Sequence, residues 1–249
     1  MKCSHLSVFL LQKECDMARC QITPLRQIDA RLEPFQWIWQ EAHAQEIEAY
    51  WQQIQAGNAG VFDGIVLLMH QGHVEGDVYK SSYFQTRYSH FMALRDWGQP
   101  DPTVRNGFSC AALQASDGAY VLGVMGARTS NAGKIYFPAG TPDLDDCHGT
   151  KVDILGSAAR ELLEETGFGG AQVTFAERIT LVEEDLRVAF LCHADLHLTA
   201  DEAVAQFTQW HSQQDQPELA GLHIVRSQAD LVPEKMHPYL LDWFATVLA

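Results

Sequence analysis

Three carboxylates stand close together in the segment Ala158-Ala159-Arg160-Glu161-Leu162-Leu163-Glu164-Glu165-Thr166-Gly167. On a helix, positions i, i+3 and i+4 share a face, so Glu161, Glu164 and Glu165 project together. Like charges at that spacing cost an isolated helix roughly 0.2–0.5 kcal/mol per pair, a penalty that a cation set between them removes. Hard divalent ions such as Mg2+ and Mn2+ take oxygen ligands of this kind. The other face, with Ala158, Ala159, Leu162 and Leu163, gives the helix something to bury and turns the carboxylates outward, and Gly167 stands where a left-handed C-cap is wanted. Spacing alone leaves two readings open: a metal site, or a solvated glutamate-rich helix that keeps the chain soluble.

The elements that must hold this helix come from a chain of 249 residues, 47% of them hydrophobic and 20% charged, a balance that suits a soluble globular protein with a sizeable core. Formal net charge is −15. A field of that sign repels long nucleic acid, whereas a small phosphorylated ligand stays admissible if a bound cation inverts the local electrostatics. The six cysteines form no CxxC pair and no dense framework, so reduced thiols in a cytoplasmic setting are expected. Cys15 and Cys20 lack a second Cys or His pair nearby, which argues against zinc. The apolar run Val8–Leu11 is too short for a signal core or a membrane span. Met17 opens a plausible start, and residues 1–16 are expected to form a tail without order.

Ile47, Trp51 and Ile54 have helical spacing, and Gly57, Asn58 and Gly60 stop that helix. Phe62–His70 and Val74–Tyr83 read as a hairpin turning at Gln71-Gly72-His73, and a short helix follows within Phe84–Trp97. The loop chemistry of Trp97–Pro102 marks a boundary between an extension, 17–100, and a second domain, 101–249. Beyond it, strands are expected at Ala111–Leu113, Ala119–Met125, Lys134–Phe137, Gln172–Val182, Leu186–His193 and Gly221–Arg226. Helices are expected at Asp201–Trp210 and Tyr239–Leu248. Strands interspersed with helices indicate a layered α/β or α+β protein. Trp37, Trp39, Trp51 and Trp97 read as core more readily than as stacking surfaces.

Residue order adds to spacing. The run Arg160-Glu161-Leu162-Leu163-Glu164-Glu165-Thr166-Gly167-Phe168 resembles the second half of the Nudix box, R-E-hydrophobic-x-E-E-x-G-hydrophobic, at every specified position. Phe137-Pro138-Ala139-Gly140 resembles the loop that opens the box, with Ala139 in place of the first glycine. Nineteen residues separate Gly140 from Arg160, six more than the family spacing. The resemblance implies an α/β/α sandwich with a mixed sheet, preceded by an N-terminal α+β extension. It also implies metal-dependent hydrolysis of a diphosphate bond joining a nucleoside to another group. Carried over residue by residue, Glu161 and Glu165 are the principal ligands of Mg2+ or Mn2+, Glu164 is a further ligand or positions water, and the carbonyl of Ala139 is another contact. No glutamate aligns with the acidic residue that braces the box arginine. Asp153 is the nearest substitute and is assigned to Arg160 as a structural pair.

Metal-assisted substitution at phosphorus needs a base. Glu183, Glu184, Asp185, Asp215 and Glu218 are candidates outside the box, each equally readable as an ordinary turn residue. Arg128 and Lys134 are candidates for contacting substrate phosphate. In the inserted loop, Asp143, Asp145 and Asp146 read as a solvated acidic stretch or as an extra contact, and Cys147 and His148 resemble a ligand pair only superficially. Gly60–Leu68, with Tyr79, Tyr83, Tyr88, Phe91 and Arg95-Asp96-Trp97-Gly98, resembles the front half of the UDP-sugar-hydrolysing Nudix pyrophosphatases, which makes a UDP-sugar the leading substrate. The alternative is a Nudix-fold nucleotide-binding or sensor module with weak catalysis, motivated by the insertion and the missing mid-box glutamate. An aromatic-rich extension is compatible with a homodimer. No membrane partner is expected.

Overall fold

A computed structural model describes residues 20–57 and 60–248. The expectations for residues 1–16, for a start at Met17 and for Cys15 and Asn58 lie outside the described residues. In chain order the elements are β1 (Gln21–Leu25), β2 (Gln27–Leu32), α1 (Ile38–Ala42), α2 (Ala44–Gly57), β3 (Ile65–Glu75), β4 (Val78–Arg87), α3 (Tyr88–Asp96), β5 (Asn106–Ala115), β6 (Tyr120–Met125), β7 (Ile135–Tyr136), β8 (Ala139–Gly140), β9 (Cys147–His148), β10 (Lys151–Val152), α4 (Ile154–Thr166), β11 (Val173–Glu184), β12 (Arg187–Leu196), α5 (Ala200–His211), β13 (Leu219–Val225) and α6 (Pro238–Val247).

The class is mixed α/β. The main sheet runs β1-β11-β12-β5-β6-β13, with β7 beside β6 and β8 beside β5, and β12 and β5 are its parallel pair. Side chains alternate across a strand, and β12 shows the consequence. Ala189 and Leu191 face a core that holds Phe207 of α5, Trp243 and Phe244 of α6, and Leu162 of α4. Val188 and Phe190 face the opposite way, onto Leu25, Tyr79, Tyr83 and Val152. One face of the sheet is thus covered by helices, and the other by a second sheet, β3-β4-β2-β10-β9, together with the start of α4.

The boundary expected near residue 100 falls in a loop, yet the chain crosses it in both directions. β1 completes the main sheet by pairing with β11. The loop inserted after Gly140 supplies β9 and β10, and β10 joins the front sheet through Lys151 opposite Arg31. Leu32 N–H also donates to Thr150 O at 2.7 Å, and Leu67 N–H to Pro142 O at 2.7 Å. The insertion is therefore a strap between the two halves.

The hairpin of β3 and β4 turns at Gly76-Asp77, where Gly76 has φ +65°, and not at Gln71-Gly72-His73. Gly72 lies inside β3, beside a register shift between Met69 and Gln71. It is glycine because the buried Tyr79 hydroxyl occupies the space a Cβ would need. A close approach and a turn select the same residue, so the sequence signal was ambiguous. Phe84–Arg87 likewise extend β4, and the helix begins only at Tyr88. Trp37 and Trp51 are core, while Trp97 is partly open and packs edge-on against Trp39.

Candidate active site

Helix α4 is fixed at both ends. Asp153 is its N-cap, accepting from Gly156 N–H at 3.2 Å, and Gly167 closes it in the left-handed region with φ +75°. Leu162 and Ala158 are buried, but Leu163 is 52% exposed and Glu165 only 5%. Of the three carboxylates only Glu164, 57% exposed, faces solvent as amphipathic patterning suggests. β8 packs against the helix, and residues 215–218 border a recess beside the three glutamates.

Arg160 is the hub of the arrangement. It donates to Glu164 Oε2 at 3.0 Å, pairs with Glu161 Oε1 at 3.0 Å, and reaches Asp146 with Nε at 3.2 Å and Nη2 at 3.0 Å. Asp146, not Asp153, is the partner of Arg160. The expected pair rested on proximity along the chain, whereas Asp153 is committed to the helix cap and lies 3.7 Å from His148. Asp146 comes from the inserted strap and its side chain is only 3% exposed, so that part of the acidic loop is not solvated. Its carboxylate also accepts from Asp143 N–H, and Asp143 accepts from Asp145 N–H, which accounts for both neighbours as loop-closing groups.

Glu161, Glu165 and Glu218 share one corner. Burial pushes the Glu161 carboxyl up to about 7; Arg160 opposes this, and Glu164, Glu218 and Asp146 reinforce it. Glu165 is held well above the usual carboxylate range by burial, then by Glu161 and Glu218, against one hydrogen bond from Ala139 N–H. Its Oε2 has no hydrogen-bond partner. A side chain at Gly140 would run into the Glu161 carboxylate, so glycine lets that carboxylate lie against the β8 backbone. Among the described residues, no three His, Cys, Asp or Glu groups are gathered into a ready-made metal cage. Arg160 holds the heads of Glu161 and Glu164. The donor chemistry nevertheless suits a hard cation: oxygen ligands, a buried carboxylate oxygen with no partner, and like charges that raise one another.

This corner opens into a cleft of about 660 Å³. Arg128 lines it, as expected of a phosphate contact, along with Ala139, Glu161, Glu165 and Glu218. Lys134 does not line it: it sits just before β7 and donates to Glu234 O at 3.3 Å. Of the other acidic candidates, Asp215 borders a smaller recess beside Glu161, Glu164 and Glu165. Glu183 is paired with Arg105 at 2.9 Å and Glu184 with Arg187 at 3.5 Å, and Asp185 turns the β11–β12 hairpin. Cys147 reaches Asp143 O, with no ligand pair formed with His148.

From the front half, Tyr88, Phe91 and Arg95 line the cleft, whereas Tyr79 and Tyr83 are core. Sequence reading did not single out Asn106, Phe108, Tyr136, Arg187, His237 and Tyr239, which line it as well. They come from four parts of the chain, β5, β7, β12 and the start of α6, and no one local pattern joins them. Only the parallel placement of β12 on β5 brings Asn106 opposite Arg187.

Among solved structures, the chain is similar to a Nudix hydrolase from M. smegmatis, RenU, at 18% identity and a TM-score of 0.37, covering 57% of this chain and 83% of that one. It is also similar to the MutT protein from Methanosarcina mazei Go1 at 18% identity and a TM-score of 0.36, covering 57% and 91%. No protein-family model and no curated protein matches the sequence.

Proposed function

We propose that the chain is a metal-dependent hydrolase of the Nudix type, cleaving the diphosphate bond of a nucleoside diphosphate linked to a second group, with a UDP-sugar as the foremost substrate. The observation that carries this reading is Glu165: a carboxylate 5% exposed, with a partnerless oxygen, set against Glu161 and Glu218 at the mouth of a large cleft. A buried carboxyl oxygen without a hydrogen-bond partner costs stability, and ionising it there costs more, which points to a role in a site.

Glu161, Glu165 and Glu218 would hold Mg2+ or Mn2+, with Glu164 and the carbonyl of Ala139 as further contacts. Bound there, the ion would neutralise phosphate charge and acidify an attacking water. Arg160 orients Glu161 and Glu164, and is itself oriented by Asp146. The proton from that water would pass to a carboxylate that the ion leaves free, with Asp215 of the neighbouring recess a candidate. Tyr88 and Phe91 offer ring surface for a base or sugar, which supports a nucleotide ligand.

Product analysis of nucleotide sugars, dinucleotides and ADP-ribose incubated with Mg2+ or Mn2+ tests the proposal. We expect metal-dependent release of a nucleoside monophosphate, lost in Glu165→Gln and in Glu161→Gln. Activity equal to wild type in both variants refutes the assignment. The ion pairs from Arg160 to Glu161 and Glu164 favour a second reading, a nucleotide-binding module without turnover. Ligand-induced thermal stabilisation with no product would select it.

A further inference from the structure

The cleft has a second pole. His237, at the start of α6, lines it, stacked on Tyr239 with ring centroids 5.9 Å apart and tilted against Tyr136. Burial pushes its imidazole down to about 4, aided by three cations from three parts of the chain: Arg187 on β12, Lys134 before β7, and Arg95 on α3. No carboxylate acts on it in the opposite sense. Three cations thus act on one cleft histidine in a chain whose net charge is −15. The groups that act on Glu161 are instead Arg160, Glu164, Glu218 and Asp146, so the cleft is acidic at one end and basic at the other.

Two of the three arginines that line the cleft, Arg95 and Arg187, are pre-positioned. Arg95 is tied to Asp96 through Nε at 2.6 Å and Nη2 at 3.3 Å, and Arg187 is steadied by Glu184 at 3.5 Å. Both remain within the cleft lining with donor groups beyond those bonds, since a guanidinium has five N–H donors in a fixed fork.

We propose that Arg95, Arg187 and His237 form an anion subsite at the basic end of the cleft, which takes a phosphoryl group of the ligand. Each guanidinium fork can bond two oxygens of a phosphoryl group, and the N–H of the neutral His237 imidazole adds a third donor. Arg95 belongs to the front half and Arg187 to the main sheet, so a bound phosphoryl group joins the two halves and gives the front half a direct part in ligand choice. The subsite deepens the proposed function by fixing which end of a diphosphate ligand lies away from the carboxylates. It does not need turnover to exist.

The test uses the full chain, without divalent ion, titrated with inorganic phosphate while NMR follows the Arg95 and Arg187 Nε–H signals and the His237 ring. Saturable shifts of all three are expected, absent with chloride at equal ionic strength. The His237 pKa should climb by about one unit or more, the scale set by a close opposite charge. Arg187→Gln should weaken phosphate binding at least about tenfold, and Arg187→Lys should restore part of it, the loss of a bidentate pair setting the scale. An unchanged amide spectrum elsewhere in the variant identifies it as folded. Phosphate that leaves the three groups unmoved, or that binds Arg95→Gln and Arg187→Gln as tightly as wild type, overturns the subsite. Phosphate binding as expected in a protein that hydrolyses no diphosphate retains the subsite and removes the proposed function; hydrolysis with no phosphate response does the reverse.

Discussion

Replacing Asp146 by Asn tests whether the inserted strap positions the carboxylate helix. Two hydrogen bonds from Arg160 end on this carboxylate, at 3.2 and 3.0 Å, and the side chain is 3% exposed. Charge-assisted bonds of this kind contribute about 1.5–3 kcal/mol each before compensation. Asn retains one acceptor, and Arg160 is partly open to water and still paired with Glu161 and Glu164, so the net loss should be about 1–2 kcal/mol. At about 2–4 °C per kcal/mol for a chain of this size, Tm should fall by ~2–8 °C. The larger effect should be on the site: with its arginine unanchored, the helix should bind Mn2+ about tenfold more weakly, the usual scale for groups that orient ligands. Electron paramagnetic resonance titration of Mn2+, alongside urea denaturation, measures both. Asp153→Asn is the control, because Asn and Asp rank alike as N-caps and Asp153 does not reach Arg160. Weaker Mn2+ binding in Asp153→Asn than in Asp146→Asn, or wild-type behaviour of the latter, would refute the reasoning.

Three further outcomes follow from the same geometry. The Glu161 carboxyl stands at about 7 in the fold against 4.5 ordinarily, so the folded state keeps a proton that the unfolded chain gives up. Metal-free stability should therefore decline as pH rises from about 4.5 to about 7, and Mg2+ should restore it at the upper end, as read by thermal melts. Gly140→Ala places a methyl against the Glu161 carboxylate; we expect Mn2+ affinity to fall while urea stability changes far less, and undiminished affinity would contradict the close approach. Gly72→Ala drives a methyl into the hydroxyl of buried Tyr79 and should cost about 1–3 kcal/mol by urea denaturation, a cost that a turn residue at this position would not incur.

How much of this was legible in the sequence depended on range. Helix α4 was, because its C-cap, its apolar residues and its carboxylate spacing are all local, although its N-cap, Asp153, was read as the partner of Arg160. The hairpin of β3 and β4 was legible as a hairpin but turned in the wrong place, since glycine serves a close approach at Gly72 and a left-handed turn at Gly76. Periodicity turned all three glutamates outward, which holds for Glu164, whereas Glu165 is buried on the side where β8 packs against the helix.

The sequence by itself determined which residues are chemically suited: three carboxylates in fixed order beside an arginine and a C-cap glycine. Tertiary structure alone decided which partners they meet. Asp146 reaches Arg160 because the strap is zipped to β2, and Glu218 joins Glu161 because β13 lies at the edge of the main sheet. Arg95 and Arg187 act on the same histidine from opposite halves of the chain. Side-chain type and short spacing are written along the chain, whereas these meetings depend on sheet order and register, which bring together residues separated by tens to more than a hundred positions.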